Sequence, residues 1–132
     1  MKIKLNSQQE QEKIIRKYIN SYNNFDVKGM INNLHNDIFF ENISNGEINL
    51  MTKGINEFHN QAELAKEYFK QREQKILKIT FINNSVEVEI DYAGILNIDF
   101  PNGLKKGDKL QLRGKSIFKF KDDKIIEIKD IS

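Results

Sequence analysis

The chain has no cysteine, which excludes disulfides, thiol catalysis and cysteine-ligated metals. Its two histidines, His35 and His59, form no tight cluster with other ligating residues. A metal site therefore has little to be built from, and no cofactor is expected. The single proline is Pro101, so nothing breaks a helix or strand in the first hundred residues. No apolar run approaches the length of a membrane span. The start, MKIKLNSQQEQEK, carries basic residues without an apolar segment of seven or more, so no export signal is expected and the cytoplasm is the default location. The acceptor patterns Asn42-Ile43-Ser44 and Asn83-Asn84-Ser85 are then chance matches. Nor is there an excess of one charge: 21 basic residues stand interleaved with 19 acidic ones. That balance points to neither nucleic acid nor a membrane as partner. Repeats, linkers and low-complexity tracts are also missing.

What is present reads as one globular domain over residues 1–132, with 39% hydrophobic and 30% charged residues. The organising stretch is Lys17–Asn42. Ser7 and Glu10 form a capping box, after which Ile14, Ile15, Tyr18, Ile19 and Tyr22 recur at helical spacing and Asn23-Asn24 ends the helix. Asp26 caps a second, shorter helix with Val27, Met30, Ile31 and Leu34 on its apolar face. A strand of roughly Ile38–Ile43 follows, then a Ser44-Asn45-Gly46 turn and a returning strand over Glu47–Lys53. The spacing of Ile55, Phe58, Ala62, Ala65 and Phe69 predicts a third helix over roughly Ile55–Arg72, with His59 on the same side.

The remainder is strand: Ile76–Ile82, then two long alternating segments, then Lys124–Ile131. Val86, Val88, Ile90, Tyr92 and Gly94 point inward on the first long strand, with Glu87, Glu89 and Asp91 outward. On the second, Leu110, Leu112, Gly114, Ser116 and Phe118 point inward, with Arg113, Lys115 and Lys119 outward. Acidic and basic outer faces predict antiparallel pairing, with Asp91 opposite Lys119 and Ala93 opposite Ile117. Ala93, Ile95 and Ile117 would then form an apolar patch on the outer face, a candidate homodimer contact. Helices first and strands last give an α+β class, with helices on one face of a mainly antiparallel sheet. Inward glycines at Gly94 and Gly114 allow that sheet to bend strongly.

This order of elements, and the stretch KYINSYNNFDVKGMINNLHNDIFFEN followed by Gly54 and a helix, resembles the nuclear transport factor 2-like superfamily in its SnoaL-like and ketosteroid isomerase-like branch. The resemblance implies a cone-shaped α+β barrel, three helices packed on a bent sheet around an apolar cavity. It also implies a small apolar or aromatic molecule as partner. Residue by residue, Tyr18 resembles the oxyanion-hole tyrosine of ketosteroid isomerase. Asn42 stands where that enzyme has its carboxylate base, Ser116 where it has its protonated acid, and His59 where a further tyrosine belongs. Two of the three chemical groups are changed, so the resemblance carries the architecture rather than that enzyme's route.

The residues expected to converge on the cavity are Tyr18, Tyr22, Phe40, Asn42, Phe58, His59, Phe69, Tyr92, Ser116 and Phe118. Under an enzyme reading His59 is the acid or base, as the one member titrating near neutrality. Tyr18, Asn42 and Ser116 then serve as donors to an oxyanion formed by proton transfer next to a carbonyl. Three readings stay open on sequence: an isomerase, cyclase or dehydratase; a non-catalytic small-molecule binder; and an interaction module whose outer sheet meets a second copy. Each named residue also has a plainer role, His59 as a structural histidine and Asn42 as a turn residue at a strand end.

Overall fold

The computed structural model describes residues 7–132; the expectation of no export signal rests in part on residues 1–6, outside the described residues. Helices α1 (Ser7–Asn23), α2 (Val27–Ile31) and α3 (Gly54–Lys66) pack on a six-stranded sheet. The strands are β1 (Leu34–Ser44), β2 (Glu47–Lys53), β3 (Phe69–Ile82), β4 (Ser85–Leu96), β5 (Lys109–Lys121) and β6 (Lys124–Ile131). Their order is β2-β1-β6-β5-β4-β3, and only the β1–β6 pair is parallel. The sheet curls around the helices without closing, the cone expected from sequence.

Turn chemistry sets the connections. Asn45-Gly46 and Asp122-Asp123 all adopt positive φ, the conformation that two-residue hairpins need to match strand twist. Asp26 caps α2 by accepting from the Gly29 N–H at 3.0 Å. Gly54, at φ +83°, lets β2 pass into α3 without a loop. The Glu57 carboxylate then accepts from the Lys53 N–H at 2.9 Å, satisfying a donor at the helix start.

Three sequence expectations are corrected. The third helix stops at Lys66 and the chain is extended from Phe69, seven residues before the expected start at Ile76. The segment Phe69–Gln74 is rich in helix-favouring residues, but β4 offers it an unpaired edge and pairing overrides propensity. Gly94 makes this possible, because a Cβ there would lie 3.0 Å from the Phe69 ring.

The second correction is register. Asp91 pairs with Arg113 and Ala93 with Gln111, while Ile117 lies opposite Glu87. The β4–β5 connection takes more chain than expected, from residue 97 to 108. Charge complementarity survives the shift, with Lys115–Glu87 at 2.9 Å and Arg113–Asp91 at 3.6 Å. The third correction follows from the second. Ile117 sits six β4 positions from Ala93, roughly 20 Å along the strand, so Ala93, Ile95 and Ile117 do not make one patch.

The concave face is layered. Phe40, Ile128, Phe118 and Val86 are neighbours across β1, β6, β5 and β4 and form the floor of the core. Ile15, Tyr18 and Ile19 of α1, Met30 of α2 and Phe58 of α3 close over it. The next row outward along the same strands is Asn42, Asp130, Ser116 and Val88. Three polar residues therefore follow directly on a fully apolar layer.

Candidate active site

Along that polar row the cone holds two adjoining chambers. The outer one, about 330 Å³, is walled by Tyr68, Phe69, Ile90, Tyr92, Leu110 and Leu112. The inner one, about 160 Å³, lies against Tyr18, Met30, Phe40, Phe58, Ala62 and Arg72. Tyr22, Asn42, Leu50, Gln61, Ala65 and Asp130 line both, so these six residues surround the neck.

Asp130 is the chemical centre of the neck. Strand alternation after the buried Ile128 points it inward, and cross-strand pairing sets it between Asn42 and Ser116. The buried Ser116 hydroxyl donates to the Asp130 Oδ1 at 2.6 Å. Burial raises the Asp130 pKa from 3.8 to about 6, against the lowering effect of that hydrogen bond. The Asn42 amide is turned away from this centre, its Nδ2 donating to Asn49 Oδ1 at 2.8 Å across the β1–β2 hairpin.

Three tyrosines face the same space. The Tyr22 and Tyr92 hydroxyls lie 2.9 Å apart and share a hydrogen bond, and the Tyr92 ring also packs edge-on against Phe69 at 5.9 Å. Tyr18 is buried, with its ring edge-on to Phe118 at 6.0 Å. Burial first, and the Asp130 charge in addition, raise the pKa of Tyr18. Burial likewise raises those of Tyr22 and Tyr92, with Asp130 adding to both. All three therefore stay protonated and act as hydrogen-bond donors.

Of the residues expected at the cavity, the structure brings together Tyr18, Tyr22, Phe40, Asn42, Phe58, Phe69, Tyr92 and Ser116. Phe118 is nearly fully buried and supports Tyr18 from below without lining either chamber. His59 is not among the lining residues. It sits on the flank of α3, one turn from Glu63 at 3.7 Å, with its side chain 49% exposed. The helix presents Phe58, Gln61, Ala62 and Ala65 to the chambers, which rotates the residue after Phe58 toward solvent.

Sequence reasoning missed Asp130, Arg72 and Gln61. A signal for Asp130 existed: an acid two residues after Ile128 occupies an inward phase of the last strand. Arg72 was hidden because the third helix was drawn through it. No group of metal-ligating side chains stands in or near the site among the described residues.

A family model described as a SnoaL-like domain matches residues 15–128. No curated protein matches the sequence. Among solved structures, a protein from Xanthomonas campestris pv. campestris described as a polyketide cyclase superposes with a TM-score of 0.80 at 16% identity, over 94% of this chain and 90% of that one. An LEH-like epoxide hydrolase from M. tuberculosis gives 0.73 at 19% identity, over 93% and 82%. A ketosteroid isomerase-like fold protein from Catenulispora acidiphila, in complex with trimethylamine, gives 0.71 at 10% identity, over 89% and 82%. At these identities the likeness is one of fold.

Proposed function

Because the chain belongs to the SnoaL-like domain family, we propose that its cone binds a small carbonyl-bearing or aromatic molecule and moves a proton next to the carbonyl, with Asp130 as the acid–base group. The observation that carries this reading is the placement of Asp130. It is a partly buried carboxyl with a pKa of about 6, at the neck where both chambers meet. A group titrating there is mostly ionised at neutral pH yet basic enough to accept a proton efficiently.

The chemistry follows from the lining. The apolar walls hold a flat body over Asp130, with a carbon next to the carbonyl at the neck. The Asp130 carboxylate takes the proton from that carbon, and the electron pair moves onto the carbonyl oxygen. The developing enolate oxygen accepts hydrogen bonds from tyrosine hydroxyls, Tyr18 from the inner chamber or the Tyr22–Tyr92 pair from the neck. When the proton held on Asp130 swaps with one from solvent before return to the same carbon, the result is exchange; delivery to another carbon gives isomerisation. The Ser116 hydroxyl stabilises the ionised carboxylate between the two transfers. A small molecule held by a neighbour of the same fold supports the binding half of the reading.

Binding is tested by closing the neck. Ala65 borders both chambers from α3, so Ala65→Trp fills their junction. With 2-tetralone as probe, ligand-observed NMR is expected to show binding to the natural protein and at least about tenfold weaker binding to the variant. Leu112→Trp, on the opposite wall, gives the same loss and guards against a folding defect at Ala65. Undiminished binding in both folded variants, or no binding to the natural protein, contradicts the reading.

A further inference from the structure

Arg72 is only 6% exposed, and no carboxylate lies within ion-pairing distance of it among the described residues. Its Nε donates to the Tyr22 carbonyl oxygen at the end of α1, at 2.9 Å. The guanidinium carbon lies 3.7 Å from the centre of the Tyr22 ring and 4.6 Å from that of Phe25. These contacts hold the group but leave it short of partners, since a guanidinium has five N–H donors and only Nε has a protein acceptor here. The Nη atoms are not sealed away, because Thr52 Oγ1 is the one fully buried side-chain polar atom without a partner among the described residues. Arg72 is one of the residues lining the inner chamber.

Keeping a cation this deep without a counter-ion is costly. Asp130 shares the chamber but is not that counter-ion: no ion pair joins them, and burial and Ser116 alone set its titration. The surroundings of Arg72 are also built at some expense. Phe25 adopts φ +59°, a left-handed conformation normally left to glycine or asparagine, and so places its ring on the guanidinium. On the other side, Asn23 exchanges two hydrogen bonds with the Gln74 backbone, at 2.7 and 3.2 Å. Together with Arg72, this pins the end of α1 to the edge strand β3. The result is an immobile, flat, forked cation facing a small chamber.

We infer that the inner chamber is a carboxylate subsite, with Arg72 as counter-ion and the Tyr18 hydroxyl as a neighbouring donor, so that the natural ligand is a small organic acid whose flat body occupies the outer chamber. The inference rests on the reading of the cone as a small-molecule site and specifies which end of the molecule enters first. At about 160 Å³ the inner chamber suits a carboxylate on a short stem. The 330 Å³ outer chamber suits one or two rings. A guanidinium recognises a carboxylate in a planar, two-pronged geometry that an ammonium does not reproduce. Asp130, at the neck, then faces the carbons joining acid head to ring, where a proton adjacent to an activating group would lie.

The test pairs acids with their uncharged isosteres. Phenylacetate and 2-naphthylacetate, each beside its primary amide, are titrated into the natural protein, Arg72→Lys and Arg72→Met at pH 7.5. The natural protein is expected to bind each acid at least about tenfold more tightly than its amide. Arg72→Met loses the preference while keeping amide affinity, and Arg72→Lys retains part of it. Should Arg72→Met fail to fold, the ¹⁵N resonances of the Arg72 side chain decide the matter, by shifting on addition of acid and not of amide. Equal binding of acid and amide to the natural protein overturns the carboxylate subsite and leaves the cavity reading standing. Failure of all four compounds while 2-tetralone binds does the same. Failure of 2-tetralone as well overturns both.

Discussion

Asp130→Asn is expected to reduce the exchange of the 2-tetralone protons next to the carbonyl, in deuterated buffer near neutral pH, by at least about a hundredfold. His59→Ala is expected to leave that exchange unchanged. Asparagine keeps the shape of aspartate, and its side-chain carbonyl still accepts from Ser116, so packing around the neck is preserved. What it removes is the ability to take up and return a proton. His59 is the informative control because it is the acid or base that the sequence pattern suggests, yet it stands on the flank of α3 beside Glu63. Proton NMR follows the exchanging resonances directly. Unchanged exchange in Asp130→Asn would remove Asp130 from the chemistry.

The same carboxyl is expected to weaken the fold at neutral and alkaline pH. The folded chain holds its proton up to about pH 6, whereas the ordinary carboxyl value is 3.8. Between those values the unfolded chain has already released the proton while the folded chain still binds it, so stability falls as pH rises through this window. Above it the full cost applies, about 3 kcal/mol at most. Asp130→Asn does not titrate and pays no such cost. The stability difference between variant and natural protein, read from urea unfolding, should therefore widen in favour of the variant from pH 4 to pH 8. A group retained at a cost to stability, in a cavity, is what a working site looks like. A pH-independent difference would mean the carboxyl is not desolvated.

Why some of this was legible in the sequence and some was not has a physical answer. Local signals carried the fold: the apolar stripe of α1, the Asp26 cap, the Asn-Gly and Asp-Asp turns, and the alternation of β4 and β5 all depend on neighbours close in the chain. The end of α3 was not legible, because Phe69–Gln74 favours a helix until β4 offers it an edge. The register of β4 on β5 depended on how much chain the connecting loop consumes, which charge pairing alone did not fix. The site divided along the same line. The tyrosines and apolar walls followed from face and period, whereas the acid did not, because it was sought at positions where a relative carries one. Asn42 and Ser116 were read at those positions, and the carboxylate stands on β6 between them.

The central claim is that Asp130 is a partly buried, titrating carboxyl in contact with the ligand space. It is tested most directly by following the ¹³Cγ resonance of Asp130 from pH 3 to pH 9, alone and with saturating 2-tetralone. The account predicts a midpoint of about 6 in the free protein, displaced when the probe occupies the neck. A midpoint near the ordinary carboxylate value, unmoved by the probe, would contradict it.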